Sequence, residues 1–241
     1  IVGIMVGVCG AAALLICSLT IKKDDVKDFK KPVRKKESMI KALPSILREY
    51  WNILKLKPIR VIIGASLAYL IANITFSSDR VFFMTFNMGM SETAISAMLL
   101  MITVAGVATV PFVSKLAVRF NKKDVFKNVI GICGIMMIAT KIIGAENYPV
   151  LIAACLIYAV ANACYWQLMP SMIYDVCEVE ELISGEKRSG AVISLQALSE
   201  SVSIAVGLQM LGIILEAAGF DSDAAAQSQM ALEWVENAFV V

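Results

Sequence analysis

KLAVRFNKKDVFK, residues 115–127, sets five basic residues, Lys115, Arg119, Lys122, Lys123 and Lys127, between two apolar runs, Ser91 to about Val113 and Val125 to Ile143. The same alternation extends in both directions along the chain. Twenty of the 22 Lys and Arg residues fall in this stretch, in Lys22 to Arg60, which holds thirteen, or at Lys187 and Arg188. The connections between, Asn87 to Glu92, Gly144 to Pro149 and Gly219 to Glu233, contain no Lys or Arg. Cationic connections on one side of a series of apolar segments are the pattern of a multi-pass membrane protein, and they place the basic loops in the cytoplasm and the chain in the cell membrane.

Composition agrees. Hydrophobic residues make up 59% of the 241, above the roughly 45–50% of soluble domains. A hydrocarbon layer of about 30 Å takes roughly 20 helical residues to cross. The spans predicted on that basis are Ile59 to about Phe86, Ser91 to about Val113, Val125 to Ile143, Tyr148 to about Ile173 and Ala191 to about Ala218. Apolar residues 1–21 read as the end of a further span, and Trp234 to Val241 as the start of another, so the chain is expected to be a fragment cut at both ends. The fold class is all-α, a transmembrane helix bundle, with residues 1–21, 22–57 and 58–241 as its organisational units.

Several function classes drop out here. Histidine is absent, which removes a His general base and most zinc sites. The six cysteines, Cys9, Cys17, Cys133, Cys155, Cys164 and Cys177, form no CxxC pair and lie in apolar runs or at their ends, as packing residues do. No catalytic residue, metal site or organic cofactor is expected, and no nucleic-acid partner.

The long connection, residues 22–57, is too charged for a simple turn. Leu43, Ile46, Leu47, Tyr50, Trp51 and Leu54 recur on one helical face, beside Lys41, Arg48, Lys55 and Lys57. Two placements fit this amphipathic helix, on the inner membrane surface or packed on the protein as a linker.

Charges inside a membrane cost roughly 2.5–3.5 kcal/mol each at a helix centre, so the few present mark function. Asp79 and Arg80 lie in the outer part of their span and are read as outer-mouth contacts or as groups snorkelling to water. Lys141 reads as an interfacial anchor. Glu200 lies about ten residues past the inner end of its helix, roughly 15 Å deep and near the midplane. Gln196, Ser199, Ser203 and Gly207 share its face, and this polar stripe is expected to line a solute path. The competing view makes it a helix-packing stripe. Tyr165, Trp166 and Gln167, just before Pro170, place an indole and an amide deep in a span, where an aromatic wall suits the apolar face of a sugar ring. Tyr174 to Gly190, YDVCEVEELISGEKRSG, gathers Asp175, Glu178, Glu180, Glu181 and Glu186 with Lys187 and Arg188 at an inner turn. Ion pairs there are expected to form a cytoplasmic gate, with a solvated loop as the alternative.

This last segment resembles the glycoside-pentoside-hexuronide:cation symporter family, the melibiose permease relatives within the major facilitator superfamily. Asp175, Val176, Glu178, Glu180, Gly185, Arg188, Gly190 and Ser194 match in order the family's connection between its tenth and eleventh helices. KLAVRFNKKDVFK is similar to its basic turn between helices eight and nine. The resemblance covers the whole chain as the end of helix six, the central loop, helices seven to eleven and the start of twelve. It implies the C-terminal half of a transporter, a substrate-contact role for Trp166, and a partnering N-terminal half that holds the coupling-cation carboxylates and the main sugar-binding Asp and Arg. The chain departs from the family at Ser201, where many members carry Lys; the neighbouring charge is Glu200, of opposite sign.

The expected function is symport of a sugar or other small polar solute with Na+ or H+, by alternating access within the bilayer. A lipid or lysolipid carrier on the same scaffold and a non-transporting membrane scaffold are the alternatives.

Overall fold

The computed structural model describes Ala11 and residues 39–185, 188–221 and 227–240. Two compact units divide the chain, Ile1–Pro44 and Ser45–Val241. Of the first, the described residues are helical; the expected span over residues 1–21, the loop over 22–38, Cys9, Cys17, Glu186 and Lys187 lie outside the described residues. The second unit holds all five spans predicted between Ile59 and Ala218.

Its described residues are helical apart from turns. The helices are α1 (Met39–Leu54), which begins in the first unit, α2 (Lys57–Phe82), α3 (Glu92–Arg119), α4 (Lys122–Ile143), α5 (Tyr148–Ser184), α6 (Ser189–Ala217) and α7 (Gln229–Val240). Five of them, α2 to α6, are long and apolar enough to cross a membrane. The protein is a multi-pass helical membrane protein.

Local chemistry sets the boundaries. Pro58 occupies the first turn of α2, where a missing N–H costs nothing. Ser91 caps α3, its hydroxyl accepting from the Ala94 amide at 3.4 Å, and Asn121 caps α4 by accepting from Lys123 at 3.1 Å. Gly185 ends α5 with φ of 72°, a left-handed conformation that favours glycine. α2 does not stop where its apolar run ends but widens into a π-turn, Phe83–Asn87, closed by Met88 N–H to the Phe83 carbonyl at 3.1 Å. There Phe83 stacks on Phe239 of α7 at 4.4 Å between ring centroids, and Asn87 Nδ2 donates to the Leu232 carbonyl at 2.9 Å.

Two features differ from expectation. α5 runs 37 residues, about 55 Å, against a hydrocarbon layer of roughly 30 Å. The acidic segment that reads as an inner turn is therefore largely helix, projecting beyond the apolar run as far as Gly185. In α1, Ile53 is buried and Tyr50 and Leu54 pack against the core with Ile59, Ile63 and Val125, while Trp51, expected on the same face, is 65% exposed. The end of α1 packs on the bundle through a face rotated away from Trp51.

The core falls into two clusters. One, at the basic end, joins Ile53, Ile59, Val113, Val125, Tyr165, Met169 and Leu195. The other, toward the opposite end, joins Phe76, Phe83, Met98, Leu151, Val235 and Phe239. A polar layer lies between them.

α2 and α6 approach most closely at Gly207. A Cβ built there would stand 3.1 Å from the Ile71 carbonyl oxygen and from the Ile74 side chain. Between membrane helices there is little hydrophobic drive to associate, so small residues that let backbones meet supply packing instead.

Candidate functional site

The polar layer is built on three helices. On α6, the Gln196 amide Nε2 donates to Ser66 Oγ of α2 at 2.7 Å and to Glu200 Oε1 at 3.2 Å. Ser66 Oγ lies 2.6 Å from the Tyr165 hydroxyl of α5. Ser66, Tyr165 and Gln196 are buried, so this chain links a half-buried carboxylate to the bundle interior.

A second network adjoins it. Asn73 Nδ2 of α2 donates to the Tyr69 hydroxyl at 3.1 Å, to Asn162 Oδ1 at 3.1 Å and, more weakly, to the Tyr158 hydroxyl at 3.4 Å. Asn162 Oδ1 also accepts from Trp166 Nε1 at 3.1 Å. The Tyr69 and Tyr165 rings stack 4.3 Å apart and join the two networks. Arg80 continues the layer, its guanidinium 5.2 Å from the centre of the Tyr158 ring.

Of the residues expected to line a path, Tyr165, Trp166, Gln196 and Glu200 meet at one cavity of about 170 Å³ between α5 and α6, floored by Met169, Pro170 and Ile173. Gln167 does not join them. One residue further round α5, it binds Ser114 of α3 through Nε2 and opens on a second cavity of about 450 Å³, lined also by Arg80, Thr103, Tyr158, Asn162 and Trp166. Trp166, 52% exposed, borders both cavities.

The stripe beside Glu200 resolves differently from its expected path-lining role. Ser199 and Ser203 are buried, Ser203 donates to the Ser199 carbonyl at 2.8 Å, and Gly207 meets the α2 backbone. This is the seam between α6 and α2. Of the stripe, Gln196 and Glu200 reach the cavity, because they lie at its edge.

Asp79 is a correction. Far from the outer mouth or water, its side chain is wholly buried and neither carboxylate oxygen has a hydrogen-bond partner. Neighbouring residues on a helix point about 100° apart, which turns Asp79 inward and leaves Arg80 on the cavity wall. Lys141 hydrogen-bonds Asn237 of α7.

At the basic end, Lys122 at the start of α4 donates to both Asp175 oxygens, at 2.9 and 2.8 Å. Asp175 is expected to pair within its own segment; the structure draws its partner from the other basic turn. Glu178 is exposed and Glu180 is buried, Oε2 without a hydrogen-bond partner. As successive turns of one helix, Asp175, Glu178 and Glu180 point in different directions and do not converge on Arg188 as a single cluster.

Residues that sequence reasoning missed are Ser66, Tyr69, Asn73, Tyr158 and Asn162. The available signal was an amide in an apolar run, Asn73 and Asn162, since an amide unsatisfied in hydrocarbon is costly and calls for partners.

Long apolar helices carrying an internal polar layer with cavities at its edges define a membrane transporter architecture. The chain belongs to the MFS/sugar transport protein family, whose model matches residues 1–241. A 50-residue segment is 42% identical to an uncharacterized symporter of Synechocystis sp.; the match covers 21% of this chain and 9% of that protein.

Proposed function

We propose that the chain forms the C-terminal half of a cation-coupled sugar symporter that works by alternating access, with its basic loops in the cytoplasm. The observation that carries this reading is the hydrogen-bonded chain from Tyr165 through Ser66 and Gln196 to Glu200, opening beside Trp166. Family membership supports a sugar as the solute, and similarity to a Synechocystis protein named as a symporter supports coupling.

The chemistry is binding, not bond-making. The Trp166 ring offers a face to the apolar side of a pyranose, while Asn162, Gln196 and Glu200 offer amide and carboxylate groups to its hydroxyls. Glu200, about mid-depth, suits a second role as acceptor for a coupling Na+ or H+. A partner half facing these cavities completes the site, and rocking of one half against the other exposes it alternately to each side. At the basic end, the Lys122–Asp175 pair ties α4 to α5 and forms part of a gate, in which Glu178, Glu180 and Arg188 join as the helices move.

The test is uptake of labelled glycosides by the full-length transporter in proteoliposomes under an imposed Na+ or proton gradient. Uptake should collapse with one gradient, and Glu200→Gln should shift that dependence while the protein still inserts. Uptake blocked by lysolipids and untouched by sugars points to a lipid carrier, and binding without flux points to a scaffold.

A further inference from the structure

We infer that Arg80 is a specificity-determining residue: it takes the carboxylate of an acidic solute in the cavity between α2, α3 and α5. The inference rests on the sugar-transport reading above and adds to it the charge class of the solute.

Three observations carry it. Among the residues lining the cavity of about 450 Å³, Arg80 is the one that bears a charge. Its Nε and Nη1 are buried and donate to no protein acceptor. No described carboxylate pairs with it, the adjacent Asp79 included, since neither Asp79 oxygen has a partner. A guanidinium remains protonated in proteins, so the charge persists and calls for an anion. Stacking on Tyr158 holds it in place without neutralising it.

The rest of the lining indicates what carries that anion. Thr103, Asn162 and Gln167 are neutral hydrogen-bonding groups, Gln167 Oε1 lacking a protein donor. Tyr158 and Trp166 are aromatic. A hydroxylated ring bearing one carboxylate matches this set: one negative charge for one guanidinium, hydroxyls for the amides, and an apolar ring face for the indole. A phosphate ester, with close to two negative charges, would find one cation and be under-neutralised.

The test is equilibrium binding to the purified full-length transporter, followed by quenching of tryptophan emission. The probes are 4-nitrophenyl β-D-glucuronide, its methyl ester and 4-nitrophenyl β-D-glucoside. The acid should bind about tenfold or more tightly than either neutral probe, as a charge-assisted contact would give. Arg80→Gln should abolish that preference and leave the neutral probes unchanged, and Arg80→Lys should keep part of it. The comparison of acid with ester in the unaltered protein decides the matter even if the variants fail to fold. Equal binding of all three probes, or a preference that survives in Arg80→Gln, overturns the assignment while leaving sugar transport standing. If no probe binds, the sugar reading fails and the carboxylate site with it.

Discussion

Ser66 shows how a single small residue sets the site. Its hydroxyl stands between the Tyr165 phenol and the Gln196 amide, and it is the α2 member of a chain otherwise drawn from α5 and α6. Ser66→Ala should leave Tyr165 and Gln196 without that partner in a dry interior. The expected cost is about 1–3 kcal/mol, since a buried polar group loses its bond and water cannot replace it. Unfolding in mixed detergent micelles measures it; a change within a few tenths would show that Tyr165 and Gln196 re-pair by themselves. Trp166 is the contrasting case, half-exposed and bordering both cavities. Trp166→Ala should weaken solute binding strongly and stability little, because the ring is not filling a core. Parallel binding and unfolding measurements separate the two, and a large loss of stability without loss of affinity would refute a solute-facing role. Such contrasts were only partly legible in the sequence. Glu200 and Trp166 stood out as a charge and an indole deep in apolar runs; Ser66 did not, because a lone serine in a membrane helix commonly satisfies itself on its own backbone, as Thr103 and Ser201 do here.

At the scale of the helix, α6 carries the clearest prediction. Gly207→Ala adds a methyl group 3.1 Å from the Ile71 oxygen and the Ile74 side chain, so α2 and α6 must move apart. Overpacking of this kind costs about 1–3 kcal/mol. Gly212→Ala on the same helix meets nothing within 4 Å and serves as the control. Melting of the two variants in detergent checks the difference, and equal melting would show that the seam is loose. The Lys122–Asp175 pair calls for a different expectation. With side chains 38% and 54% exposed, it contributes at most about 1 kcal/mol to stability. Its role is in setting the α4–α5 relation during transport. Lys122→Asp should slow uptake with little loss of stability, and the charge swap of Lys122→Asp with Asp175→Lys should restore the rate. Failure of the swap to restore it would remove the pair from the gate. The basic turn and the acidic segment were each visible as charge clusters along the sequence. That Lys122 would find Asp175 required knowing that α5 continues as helix past Ile173, carrying Asp175 alongside the start of α4.

For the molecule as a whole, the consequential arrangement is sidedness. Ser91, between α2 and α3, and Lys123, at the start of α4, should label from opposite faces once replaced by cysteine. The described native cysteines, Cys133, Cys155, Cys164 and Cys177, are buried and should react slowly with an impermeant maleimide, which keeps the background low. Labelling of both positions from one side would break the alternating topology and the reading built on it.

Apolar runs of span length, separated by alternately basic and neutral turns, determined by themselves that these helices cross a bilayer in sequence. That followed because hydrocarbon admits no unpaired backbone, so segment length and loop charge fix the class of fold. Only the tertiary structure decided which way each helix faces. The spans are apolar on nearly every side, so their sequence holds little record of rotation; the fit of Gly207 against α2, and the need of Gln196, Asn73 and Asn162 for partners, turned the Ser199–Ser203 stripe inward. The same rotations left Glu200, Trp166 and Arg80 on open cavities.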